Sequence, residues 1–197
     1  MNVAKRTLVI AKHTGQMGNR LQVYAHMMAA ALERNFNLSN NAFGVYAPLF
    51  EGTREQNGGD ACALSSKTAY GLTRTLYHVA KVTQALGLPF LRTVRARSQA
   101  FVDLPTLLAR MEHRPWRVLL AQGLHFYADV WCAQHAEAIR KYFTPLESFR
   151  SEGEKAVARL RARHGGVIGL HMRVGDYASF RGGRYFYTPA DRKSTRL

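Results

Sequence analysis

Two short stretches of the chain carry residue types that could do chemistry together. The first is His171-Met172-Arg173-Val174-Gly175-Asp176. If it is a strand running into a loop, His171 and Arg173 are two apart and share one face. They would then lie at the carboxyl end of the strand, where open α/β sheets bind ligands. Arginine offers a planar, permanently charged fork for phosphate oxygens, and histidine can donate to a neighbouring oxygen. Asp176 could orient the arginine, accept from a sugar hydroxyl or cap a turn. On residue types alone this is an anion or diphosphate pocket. A structural ion pair between Arg173 and Asp176 beside a satisfied histidine fits equally well.

The second stretch is Gly15-Gln16-Met17-Gly18-Asn19-Arg20. Glycines let a backbone approach a ligand closely, and a helix beginning just after them favours phosphate. It is neither GxGxxG nor a P-loop, and by itself it is a weak signal that an ordinary tight turn explains better. Other arrangements are missing. The eight histidines are dispersed, with no HExxH and no Cys/His ligand set, so no metal is expected. There is no GxSxG nucleophile elbow. Cys132, beside Trp131 in a helical pattern, reads as a packed and inert thiol, and Met27-Met28 read as core.

The elements that must position these stretches follow from periodicity. Thr7–Ala11 is an apolar run expected as a buried strand. Leu21, Tyr24, Met28, Ala31 and Leu32 recur at helical spacing to about Arg34. Together with the glycine loop they form the strand, loop and helix that open an α/β domain. Residues 37–59 read as short strand and loop, and 66–86 as a helix ended by Gly87 and Pro89. A strand is expected over 99–104, a short helix from Pro105 to Met111, and a strand over Arg117–Ala121. Helices are expected over Ala128–Phe143 and Ser151–His164, the latter ended by Gly165-Gly166. The strand pattern restarts at Val167–Arg173.

The chain has 197 residues, 47% of them hydrophobic and 11% aromatic, too many for a disordered protein. No apolar run reaches the roughly 18–20 residues of a membrane-spanning helix. The N-terminus does not have the pattern of a secretory signal. Cys62 and Cys132, with no CxxC, argue against a disulfide framework or zinc finger. A cytoplasmic location is expected, with peripheral contact at the inner membrane as an option. Twenty-eight Lys and Arg against thirteen Asp and Glu give a net charge of +15. The cations are scattered, among them Arg74, Lys81, Arg92, Arg95 and Arg110, and no helix carries one dense stripe. An anionic small molecule or membrane surface is therefore favoured over nucleic acid. The last seven residues, Asp191–Leu197, resemble the in-frame translation of a sequencing adapter; without them the net charge is +13. On that reading the natural chain continues beyond Ala190 and this one is a fragment.

Taken in order, the segments resemble the bacterial α-1,2-fucosyltransferase-like group and its protein O-fucosyltransferase relatives. The GxxGN loop after the first strand is matched by Gly15-Gln16-Met17-Gly18-Asn19 and the helix from Leu21. The HxRRGDY signature is matched by His171, Arg173, Gly175, Asp176 and Tyr177, with Val174 in place of the second arginine. Phe180–Tyr187 and Ile139–Pro145 resemble the group as well, whereas residues 53–115 match nothing in it.

The resemblance implies an α/β, GT-B-like architecture of two Rossmann-like domains with the donor in the cleft between them. Here that would be an N-terminal domain over 1–165, the first strand and loop of a donor-binding domain over 166–190, and the adapter tail over 191–197. The implied donor is GDP-fucose and the acceptor a carbohydrate, with inversion at the transferred sugar and no metal. Arg173 would hold the β-phosphate and stabilise the leaving group as the catalytic residue. Met17, Gly18, Asn19, His171 and Asp176 would contact the donor. The fragment alone is expected to be inactive, because half of the cleft is absent. Two alternatives stay open: a GT-B enzyme using another nucleotide sugar, and a non-catalytic basic module for nucleic acid or anionic membrane.

Overall fold

The computed structural model describes residues 5–12, 14–56, 66–87, 90–96 and 100–167. The chain divides into two compact units, Met1–Phe149 and Arg150–Leu197.

The first unit is built on a parallel sheet. Strand β1 (Thr7–Lys12) leads into helix α1 (Met17–Arg34), which returns the chain to β2 (Asn37–Ser39) beside β1. Two 3-10 turns and the short helix α2 (Glu51–Gln56) follow, then the long helix α3 (Ser66–Ala85) and β3 (Leu91–Arg95). Strand β4 (Val102–Asp103), helix α4 (Leu104–Met111) and β5 (Val118–Gln122) come next. β5 inserts between β1 and β3, giving the order β2-β1-β5-β3 with every pair parallel. A second, two-stranded parallel pair joins β4 to β6 (Phe126–Tyr127), and helices α5 (Asp129–Gln134) and α6 (Ala136–Tyr142) follow.

The continuous apolar runs of β1 and β5 form inner strands because helices cover both sheet faces. Alternation divides their side chains between those faces. Leu8, Ile10, Leu119 and Ala121 join the larger core with Val23, Met27 and Ala30 of α1 and Leu104, Leu108 and Met111 of α4. Val9, Ala11 and Leu120 join Tyr77 and Ala80 of α3 in a second cluster on the opposite face. The sheet is therefore wound on both sides, an α/β arrangement compatible with a Rossmann-like fold.

Local chemistry sets the boundaries. Asp103 caps α4, its carboxylate accepting from the Thr106 N–H at 2.9 Å, and proline stands in the first turn. α1 ends on Asn35 in the left-handed conformation, φ 52°, where the Phe36 N–H reaches the Ala31 carbonyl at 2.8 Å. Phe36 then packs edge-on against Trp116, whose indole donates to the Met111 carbonyl at 3.0 Å.

The structure moves several expected boundaries. α1 starts at Met17, because the Arg20 N–H bonds to the Gln16 carbonyl and draws most of the glycine loop into the first turn. The expected helix over 128–143 is two helices broken at His135, whose ring meets the Glu33 carboxylate at 3.0 Å. α2 lies in the stretch expected as strand and loop, and β3 lies where no strand was expected.

In the second unit the described residues are Arg150–Val167, in which helix α7 (Glu147–His164) ends at Gly165 with φ 69°. The expected strand from Val167 to Arg173 lies, beyond its first residue, outside the described residues. No helix among the described residues is long and apolar enough to cross a membrane.

Candidate ligand site at the carboxyl edge of the sheet

From β1 the chain builds outward to β2 on one side, while β5 and β3 are added on the other. The carboxyl ends of β1 and β5 thus flank the point where the strand order reverses, the usual ligand crevice of an open α/β sheet. Lys12 and Gln122 are register partners at this edge, and Gln122 pairs onward with Arg95 of β3. A crevice opens here with Ile10 and Val23 at its base and Lys12, Thr14, Arg20 and Asn40 around it. Gly123 closes one side, with φ 126°; a side chain there would run into the Ala96 carbonyl.

The glycine loop runs beside the crevice, between two residues that line it, Thr14 and Arg20. Gly15 takes φ 69°, and a Cβ on it would collide with the Asn19 side chain, so the turn requires glycine on both counts. Arg20 ties the loop down: its Nε donates to the Gly15 carbonyl at 3.0 Å and its Nη1 to the Ala42 carbonyl at 3.1 Å. Its guanidinium also lies over the Tyr46 ring, 5.1 Å from the centroid. Gly18 differs, because a Cβ there would meet nothing within 4 Å. Gly71 and Gly153, also exposed on helices, are equally open.

Of the residues expected at the site, Met17, Gly18 and Asn19 lie exposed on the first turn of α1 at this edge. His171, Arg173 and Asp176 lie outside the described residues. Arg20 closes the second candidate stretch of the sequence, whereas Lys12, Asn40 and Gly123 were not singled out by sequence reasoning. The glycine of a strand exit is the only one of these with a signal in the sequence. Asn40 Oδ1 is buried without a hydrogen-bond partner among the described residues. Asn40 also borders a polar cavity of about 320 Å³, shared with Ser39, Asn41, Thr53, Tyr24 and Phe43. That volume falls at the lower end of the range of small-molecule sites.

A cationic group stands beside the crevice on the α3 side. The Lys12 ammonium lies 3.4 Å from His78 Nε2 and 4.9 Å from the centre of the Tyr77 ring. It is held below the ordinary lysine value by burial first, then by the positive charges of Arg74, Lys81 and Arg95.

Cys132 sits apart from this edge. Its thiol lies 3.2 Å from His26 Nδ1, which also accepts from the Ala128 N–H at 3.1 Å. Burial, and then the Asp129 carboxylate, push the thiol above its ordinary value, which keeps it protonated and unreactive. Among the described residues no three His, Cys, Asp or Glu side chains come together as a metal site. No family model, curated protein or solved structure matches the chain.

Proposed function

We propose that the chain is the N-terminal part of a GT-B glycosyltransferase that transfers fucose from GDP-fucose to a carbohydrate. The observation that carries the reading is the placement of Gly15–Asn19. The loop leaves the carboxyl end of β1 at the strand-order reversal and opens α1, with Gly15–Asn19 exposed. The neighbouring polar cavity at Asn40, of the scale of a sugar unit, supports it further.

In the proposed reaction an acceptor hydroxyl oxygen attacks the anomeric carbon of fucose and the bond from that carbon to the β-phosphate oxygen breaks. The electron pair leaves with GDP, and the acceptor proton passes to a base. Arg173 would meet the charge that develops on the diphosphate, His171 and Asp176 would contact the donor, and Met17, Gly18 and Asn19 would face it from the other side. Preorganised donors of this kind are worth several kcal/mol, on the order of 3–4 kcal/mol for one of them.

The test is a calorimetric titration of GDP-fucose, GDP-mannose and a UDP-sugar into the product of the source gene read through codon 190. GDP-fucose is expected to bind tightest, and Arg173→Ala to abolish transfer. Failure of that protein to bind GDP or GDP-fucose overturns the reading, and preference for another nucleotide sugar reassigns the donor.

A further inference from the structure

The cations on the α3 side of the sheet edge come from distant parts of the sequence. Lys12 ends β1, Arg95 ends β3, and Arg74, His78 and Lys81 follow one another along one flank of α3. Register fixes the strand contribution: Lys12 and Arg95 both pair with Gln122 and so stand two strands apart. At about 4.8 Å per strand their Cα atoms are about 10 Å apart. Along α3, Arg74 and Lys81 lie seven residues apart, about 10 Å at 1.5 Å per residue.

Arg74, His78, Lys81 and Arg95 are exposed, and Lys12 is half-buried. Among the described residues no carboxylate pairs with any of them; the ion pairs found there lie elsewhere, at His26–Asp129, His135–Glu33 and Arg150–Glu154. Four positive charges concentrated in this area without a counter-charge among the described residues repel one another, and at Lys12 this repulsion adds to burial, the larger cause of its lowered value. An anion seated among them relieves that repulsion and gains charge-assisted hydrogen bonds from two guanidinium forks.

We propose that Lys12, Arg74, His78, Lys81 and Arg95 form an anion site that takes the phosphate or diphosphate group of a small phosphorylated ligand. The footprint, about 10 Å on a side, suits one or two phosphate groups. A bilayer is a poorer match. Of the exposed apolar residues of α3, Leu72 at 59% and Val79 at 47% exposure lie on the side away from the basic flank, and Val82 lies beside it, about 40° from His78. At about 100° per residue, Val79 lies about 160° around the helix from Lys81, so a membrane against one face leaves the other behind. The site lies on the α3 side and shares only Lys12 with the crevice beside the glycine loop, and it does not depend on the fucosyl-transfer reading.

The test titrates inorganic pyrophosphate into the 197-residue chain at low salt. It is repeated with the double variant Arg74→Gln/Arg95→Gln and with a charge-matched control, Arg159→Gln/Arg161→Gln, on exposed positions of α7. The expected result is binding weakened at least tenfold in the first and less than twofold in the control. Urea midpoints of both variants matching the parent confirm that the fold is intact. Equal losses in the two variants, or none in either, would mean that only the diffuse positive charge attracts anions, and would overturn the site. Single-stranded DNA or vesicles with 30% phosphatidylserine competing better than pyrophosphate through the same arginines would also overturn it, in favour of a polyanion. The same variants made in the product read through codon 190 are titrated with GDP-fucose: binding lost in the first variant alone would make the cluster the donor's own site. Pyrophosphate binding that follows the expected pattern while the read-through product binds no nucleotide sugar would uphold the site and remove the fucosyl-transfer reading.

Discussion

Alanine at Gly123 places a single methyl group where the structure leaves least room for it, at the exit of the central strand β5. Two costs combine. The backbone stands at φ 126°, which an L side chain rarely adopts, and the new Cβ would press on the Ala96 carbonyl oxygen, a backbone atom that moves only with its strand. The conformational cost is about 1–3 kcal/mol, and forcing a methyl group into occupied space costs about 1–3 kcal/mol more. The expected loss is therefore about 2–6 kcal/mol. Two other glycines separate the terms. Gly87 has φ 78° and a methyl group added there would meet nothing within 4 Å, so Gly87→Ala carries the backbone cost alone, about 1 kcal/mol. Gly15→Ala, at φ 69°, presses on Asn19, whose amide can turn aside but whose Cβ stands 2.9 Å from the new methyl group, and is expected to fall between them. Urea unfolding followed by Trp116 fluorescence measures all three. A Gly123→Ala loss within 1 kcal/mol of that of Gly87→Ala would refute the close approach of Gly123 to Ala96.

The remaining predictions concern buried polar chemistry and capping. His26 is held below the ordinary imidazole value by burial, the Asp129 carboxylate opposing only in part, so the folded state keeps it neutral while the unfolded chain takes up a proton. Its contribution is complete above about pH 6.5 and is lost progressively as the pH falls below it. The stability advantage over His26→Asn, which keeps an acceptor near Nδ1, is therefore expected to shrink between pH 7 and 5 in urea titrations; a constant difference would refute this. Asp103→Ala removes the α4 cap and is expected to cost about 1 kcal/mol by the same assay, with Asp103→Asn recovering most of it.

What could be read from the sequence was whatever a local pattern determines. β1 and β5 are unbroken apolar runs, and the proline that opens α4 and the glycine that closes α7 are punctuation visible within one turn. β3 escaped because Leu91-Arg92-Thr93-Val94-Arg95 interrupts its apolar residues with arginines, which an edge strand tolerates and an inner strand does not. The break at His135 depends on Glu33, more than a hundred residues away, and no local signal contains it. The same holds for the cationic group. Lys12, Arg74 and Arg95 look scattered along the chain, and only the insertion of β5 between β1 and β3 brings them to one edge.

That insertion also dictates an order of assembly. During synthesis β1, α1 and β2 emerge first and can pair locally, and β3 follows, but the strand that must lie between β1 and β3 is made last of the four. Until Gln122 has left the ribosome, β1 and β3 each present an open ladder edge to the cell, and neither can be completed by the other. The four-stranded sheet then closes through one late, long-range step, slow compared with local helix formation. The apolar stretch around Leu119 and Leu120 is the segment on which that step waits, and nascent chains stalled short of it would be the ones most in need of a chaperone.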